Sequence, residues 1–98
     1  MTNNELEKKI GNVLITLGIT PTLKGFYYIL DAVTMFDVDE RAMQLYEKVA
    51  IKNETETDNV VRNIKYSFSK MNREKRIEYF GAIKHCSDLI SVIAWREL

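Results

Sequence analysis

Between positions 52 and 76, seven basic residues (Lys52, Arg62, Lys65, Lys70, Arg73, Lys75 and Arg76) stand against four acidic ones (Glu54, Glu56, Asp58 and Glu74). A guanidinium such as that of Arg62 is able to make paired hydrogen bonds to a guanine edge, a contact worth about 1–3 kcal/mol of base discrimination. Lys65, Arg73, Lys75 and Arg76 offer the positive charge that neutralises phosphates. Asn59 is of the type that pairs with adenine through both polar atoms of its amide, and Tyr66 is able to stack on a sugar. Val61 would either touch a thymine methyl group or extend a core. The same pattern also describes a solvated helix face. Glu54, Glu56 and Asp58 suit the positive end of a helix dipole, yet they crowd the turn that a DNA-reading helix aims at bases and phosphates.

Other reactive side chains are poorly arranged for chemistry. His85 and Cys86 are neighbours, and adjacent helical residues point about 100 degrees apart, so they do not face one another as base and nucleophile. Asp37 and Asp39 have the spacing that opens a calcium loop, but the glycine and the distal bidentate glutamate are missing, and these acids fit a helix N-terminus better. Gly11, Gly18, Gly25 and Gly81 form no phosphate-cradling pattern. A single cysteine cannot form an internal disulfide, and a single histidine cannot complete a structural zinc site. No enzyme, metal, cofactor or small-molecule substrate is expected.

The bulk properties bound the remaining possibilities. The 98 residues suit one domain, 1–98, with one core. A hydrophobic content of 46% and a charged content of 29% are those of an ordinary globular protein, and no apolar run approaches the roughly 18 residues of a membrane span. The opening residues, Met1 to Glu5, lack a basic segment followed by an apolar one, so the expected location is the cytoplasm. Fourteen basic and fourteen acidic residues cancel, so positive charge for nucleic acid must be local.

The elements that position the 52–76 segment are helices. Leu6, Ile10, Val13, Leu14 and Leu17 form one helical stripe, stopped by Gly18, which predicts a first helix from about Asn4 to Leu17. Thr20 followed by Pro21 reads as the cap and first residue of a second helix, with Phe26, Ile29, Leu30, Val33 and Phe36 inward. The acidic turn Asp37-Val38-Asp39 ends it. A third helix is predicted from about Asp39 to the polar break at Lys52-Asn53-Glu54. Thr55 and Asp58 imitate a capping box for a fourth helix, Glu56 to Met71. On it Val60, Ile64, Ser67, Phe68 and Met71 point inward, whereas Asp58, Asn59, Arg62, Lys65, Tyr66, Ser69 and Arg73 fall on the opposite side. A fifth helix is predicted from about Glu74 to Ile83, and a sixth, capped by Ser87, to the end. With no strand pattern, the expected class is all-α, a compact bundle of about six helices containing a helix-turn-helix.

Two helices joined by a short turn, the second bearing outward basic residues, are what a helix-turn-helix requires. The stretch from Leu17 to Tyr28 resembles a family segment in which Ile-Gly-Val-Pro runs into Ile-Lys-Gly-Tyr, and the likeness continues through Leu30 to Met35. Leu45 to Ala50, then Thr55, Val60, Arg62, Ile64 and Lys65, are similar to that family's helix-turn-helix, and Phe80-Gly81 and Ser87 to Leu98 resemble its last helices. The family is the DNA-binding effector domain of the sporulation master response regulator. The resemblance covers about residues 10 to 98 and implies that the helix from Glu56 enters the major groove, with the last helix near contacts between copies on DNA.

Departures from the family bear on specificity. Its recognition helix resembles Arg-Val-Glu-Arg-Ala-Ile-Arg-His, where this chain reads Asn59-Val60-Val61-Arg62-Asn63-Ile64-Lys65-Tyr66. Two basic positions persist, as Arg62 and Lys65. The first arginine is Asn59, and the glutamate able to accept from a cytosine amino group is Val61. Asn53 replaces an aromatic residue, and the segment between Phe36 and Leu45 is shorter than the family's. No receiver precedes the effector-like sequence, so phosphotransfer control in cis is not expected.

The expectation is a transcription-regulator-like protein that binds duplex DNA through Thr55, Asn59, Arg62, Lys65, Tyr66, Ser69 and Arg73. The rival is a receiverless protein-interaction module, which zero net charge and the two lost side chains favour. Trp95, beside Leu89, Val92 and Ile93, either closes the core or forms a homodimer face on the last helix.

Overall fold

The computed structural model of the chain describes residues 3–98, with side chains from residue 4 onward; the first two residues of the expected domain lie outside the described residues. Six helices follow in order: α1 (Asn3–Thr16), α2 (Lys24–Thr34), α3 (Ala42–Lys52), α4 (Thr57–Ser69), α5 (Arg73–Phe80) and α6 (Cys86–Glu97). No strand occurs among the described residues, so the all-α expectation holds. None of these helices is long and apolar enough to cross a membrane.

The central element is α2, which packs against α1, α3, α4 and α6. It is correspondingly apolar on several sides, burying Phe26, Tyr28, Ile29, Ala32 and Val33. Ile10 and Leu14 of α1, Val49 of α3, Val60 and Ile64 of α4, and Leu89, Ile90 and Ile93 of α6 complete a core with almost no solvent contact.

The first helix stops as its sequence predicts. Gly18 takes φ +98°, its N–H donates to the Ile15 carbonyl at 3.0 Å, and the Ile19 N–H donates to that of Leu14 at 2.9 Å. This pair of bonds satisfies two terminal carbonyls, and the buried Leu14 and Ile19 accompany it.

Several predicted helix starts are displaced, each for a local reason. Thr20 does not cap α2: its hydroxyl pairs with that of Thr22 at 2.6 Å, and its carbonyl accepts from Leu23 N–H. Pro21 therefore sits inside a turn, and the helix begins three residues later, at Lys24. Nor does α3 begin at Asp39, because the Asp37 carboxylate accepts from the Asp39 N–H at 2.9 Å and holds a turn. The helix starts at Ala42, with Gln44 Oε1 accepting from the Arg41 N–H at 2.9 Å. The N-cap of α4 is Glu56, not Thr55, and that of α6 is His85, not Ser87, whose carbonyl instead accepts from the Ser91 hydroxyl. For α5 the cap is Asn72, whose Oδ1 accepts from the Lys75 N–H at 3.1 Å. That helix ends at Phe80 rather than Ile83, because Gly81 takes φ +67°.

Candidate nucleic-acid interface

Helices α3 and α4 are joined by residues 53–56, and the joint is held from both ends. Glu54 takes φ +52°, unusual for a residue with a side chain, so that its N–H reaches the Ile51 carbonyl and the Thr55 N–H reaches that of Ala50. Asn53 Nδ2 donates to the Val49 carbonyl at 2.8 Å and to Asp31 Oδ2 at 2.9 Å. Asp31 Oδ1 accepts from Lys52 Nζ at 2.6 Å. Asp31 belongs to α2 and is buried, so the turn is tied to the central helix by an ion pair and a hydrogen bond. Sequence reasoning missed this role. The signal was there, as the one carboxylate within the apolar run Tyr27 to Val33.

The inner face of α4 is fixed by close packing. Val60, Ile64, Ser67 and Phe68 are buried as predicted, and Met71 is half-buried just beyond the helix. At the crossing with α2, a Cβ on Gly25 would collide with Ser67 Oγ and the Asn63 carbonyl. The two backbones approach so closely because Gly25 has no side chain and Ser67 a small one. Ser67 Oγ is buried without a hydrogen-bond partner among the described residues.

The outer face carries Arg62, Lys65, Tyr66 and Ser69, all exposed, and continues to the exposed Arg73 at the start of α5. Among the described residues, the side chains of Arg62, Lys65 and Arg73 make no hydrogen bond or ion pair. Tyr66 is about half exposed and Lys70 Nζ lies 4.9 Å from its ring centroid, while the Ser69 hydroxyl turns back to the Tyr66 carbonyl. The polar groups of this face are thus free to meet an external partner, apart from the Ser69 hydroxyl proton.

Thr55 and Asn59 are placed differently. Both are half-buried, and Asn59 Nδ2 donates to Thr55 Oγ1 at 2.9 Å and to the Tyr28 hydroxyl at 3.4 Å. Asn63 Nδ2 in turn donates to Asn59 Oδ1 at 3.0 Å and to its carbonyl at 2.8 Å. These residues form the inner border of the face: the Asn59 amide joins α4 to Tyr28 of α2, and the Asn63 amide bonds back within α4. Val61 packs partly buried against the core.

The remaining candidates separate cleanly. Arg76 Nη2 donates to the Ile83 carbonyl at 3.2 Å, whereas Lys75 lies on the other flank of α5, near Glu78 and Arg96. Burial pushes the Cys86 thiol up, against the opposing pull of Lys65 and Arg76, the reverse of what an activated nucleophile needs. Among the described residues no group of His, Cys, Asp or Glu is arranged to hold a metal ion. Trp95 does not close the core: it is three-quarters exposed, beside the exposed Val38 and Leu98, and the three share a shallow apolar groove with Phe36 and Ala94.

The comparisons with known proteins agree with this geometry. No curated protein matches the chain. The family described as sporulation initiation factor Spo0A C terminal matches residues 10–91, a span that contains α2 to α5, both halves of the α3–α4 pair and the start of α6, but stops before Trp95. It is a family of DNA-binding regulatory domains and not of enzymes. Because the match extends over far more than half of the sequence, the chain belongs to the Spo0A C-terminal family.

Proposed function

We propose that this chain binds duplex DNA as a transcription regulator in the cytoplasm, with α3 and α4 acting as a helix-turn-helix and α4 lying in the major groove. One observation carries the reading: Arg62 and Lys65 are exposed with unpaired side chains on the outer face of α4, whose opposite face packs against α2, and the equally exposed and unpaired Arg73 extends that face at the start of α5. Charged groups left free on a rigid support are pre-ordered for an anionic partner. In this reading Arg62 contacts a guanine edge, Lys65 and Arg73 neutralise phosphates, and Tyr66 and Ser69 lie against the sugar-phosphate chain. Thr55 and Asn59 border the contact and set the height of the helix through Tyr28. The family's own target sequence does not transfer, because Asn59 and Val61 replace its arginine and glutamate.

A second reading has its own observation. The exposed groove of Trp95, Val38 and Leu98 is an apolar surface on an otherwise neutral molecule, as an interaction module requires. In the DNA-binding reading this groove joins two copies through α6 on neighbouring half-sites. In the rival reading it takes another protein and DNA is not bound.

Selection from a random-sequence duplex library at two salt concentrations, followed by sequencing of the retained DNA, separates them. An enriched motif and steep salt dependence are the expected result. No retention at low salt would leave the interaction module standing.

A further inference from the structure

A cleft of about 240 Å³ opens beside the α4 face, between α5 and the segment 81–84. Its ionisable walls are Arg73, Arg76 and Lys84, all basic, and its apolar floor includes Ile77 and Ile83. Lys84 lies outside the basic 52–76 segment and is brought to Arg73 and Arg76 only by the fold. Gly81 makes this possible: with φ +67° it turns the chain back along α5. Arg76 is half-buried and its Nη2 is held by the Ile83 carbonyl, which fixes the plane of the guanidinium and leaves its other donors for a ligand. Arg73 and Lys84 are exposed, and among the described residues neither has an ion-pair partner.

Three cations converging on one concave surface without a carboxylate among them repel one another unless an anion is shared. A phosphate oxyanion fits: planar guanidinium forks bind it through paired bonds, and an ammonium adds a point charge. Arg73, which continues the exposed face of α4, is itself one wall of the cleft, so the cleft adjoins that face. We infer that the Arg73–Arg76–Lys84 cleft is a second anchor on duplex DNA, holding a backbone phosphate next to the groove that α4 occupies. This inference rests on the DNA-binding reading above.

The test is the salt dependence of binding to a mixed-sequence duplex, using the full chain and the variants Lys84→Ala, Arg73→Ala and the double variant, each checked for helix content. Each phosphate contact contributes about 0.9 to the slope of log affinity against log salt, so Lys84→Ala is expected to reduce the slope by up to that amount and the double variant by more. Lys8→Ala, an exposed lysine on α1, is expected to leave it unchanged. If the wild-type chain binds and the double variant keeps its full slope, the cleft does not touch DNA and the inference is wrong, together with the phosphate role given to Arg73, while the Arg62 and Lys65 contacts of α4 survive. A slope lost equally in Lys8→Ala would also overturn it, as a general charge effect. If the wild-type chain binds no duplex, both readings fall. A melting temperature that inorganic phosphate raises at matched ionic strength in the wild type but not in Lys84→Ala, together with a salt slope that Lys84→Ala leaves unchanged, would make the cleft a free-anion site and overturn the anchor.

Discussion

Asp31 of α2 accepts a 2.9 Å hydrogen bond from Nδ2 of Asn53, the residue that ends α3, and its second oxygen holds Lys52 at 2.6 Å. The turn that aims α4 is therefore secured by a carboxylate on the central helix rather than by the turn's own residues alone. Removing that carboxylate leaves the Asn53 amide bound only to Val49, and lets Lys52 swing into solvent. Asp31→Ala is expected to lower stability by about 1–3 kcal/mol, read by chemical denaturation. It should weaken DNA binding more than an equally destabilising change at Ile10, remote from the turn. Equal losses in binding would mean that the carboxylate supports the fold without orienting α4.

The Gly25–Ser67 crossing yields a paired expectation. Gly25→Ala drives a methyl group into Ser67 and the Asn63 carbonyl, so α2 and α4 must separate along a fully packed interface. A loss of at least about 1–3 kcal/mol is expected, as for other overpacked cores. Ser67→Ala removes a buried hydroxyl that has no partner and should be neutral or stabilising by up to about 1 kcal/mol. Thermal melts of the two variants moving in the same direction would show the crossing to be looser than described.

Glu54 holds a left-handed backbone at φ +52°, a conformation that costs a side-chain-bearing residue about 1 kcal/mol. Glu54→Gly is expected to relieve most of that cost, with some return through the freer unfolded chain. Because Glu54 is exposed and acidic beside the proposed interface, the same change should also tighten binding to duplex DNA, most visibly at low salt. Lower stability in the glycine variant would count against the strained turn.

How much of this was legible beforehand depended on whether a property was periodic or tertiary. The inward stripe Val60, Ile64, Ser67 and Phe68 and the stop at Gly18 follow from spacing and residue type, and both are found. The starts of α2 and α3 depart from the periodic reading because Thr20 and Asp37 spend side-chain hydrogen-bonding groups on near neighbours that no propensity rule singles out, and α6 begins at Cys86, ahead of the expected Ser87 cap. Asn59 looked like a solvent-facing residue on a helical projection. Tyr28, arriving from α2, half-buries it and gives its amide a partner, and nothing within the 57–69 segment announces that contact. The cleft was hidden for the same reason, since Lys84 meets Arg73 only through the reversal at Gly81.

Alkaline pH should weaken the fold through Tyr46. Burial pushes its phenol up to about 12, with the charges of Cys86 and Asp88 adding to the effect. An acid whose folded pKa is raised keeps its proton in the fold longer than in the unfolded chain. The stabilisation is therefore complete below about pH 10, the unfolded value, and is lost as the pH rises from there toward about 12. Tyr79, likewise raised to about 12 by burial and then by its hydrogen bond to Glu97, acts in the same window. Melting temperatures across this range should fall less steeply in Tyr46→Phe than in the wild type. An unchanged fall would assign the alkaline sensitivity to other groups.

Arg62 and Asn59, three positions apart on α4, should separate binding from folding. Arg62 is exposed and its side chain makes no bond within the described structure, so Arg62→Ala is expected to leave the stability unchanged to within about 0.5 kcal/mol, as for other surface changes. Its effect on DNA should be a loss of about 1–3 kcal/mol on the selected sequence and much less on a scrambled duplex, because a guanine contact is lost only where a guanine is present. Asn59→Ala removes the donor that joins Thr55 and Tyr28 and the acceptor used by Asn63. It should lower stability by about 1–2 kcal/mol and weaken both duplexes together, since the whole helix is displaced rather than one base contact. Titrations of both variants against both duplexes, alongside their melts, give the comparison. A selective loss in Asn59→Ala with an unchanged melt would show that its amide leaves Tyr28 to read a base, and would move it from the border of the interface to its centre.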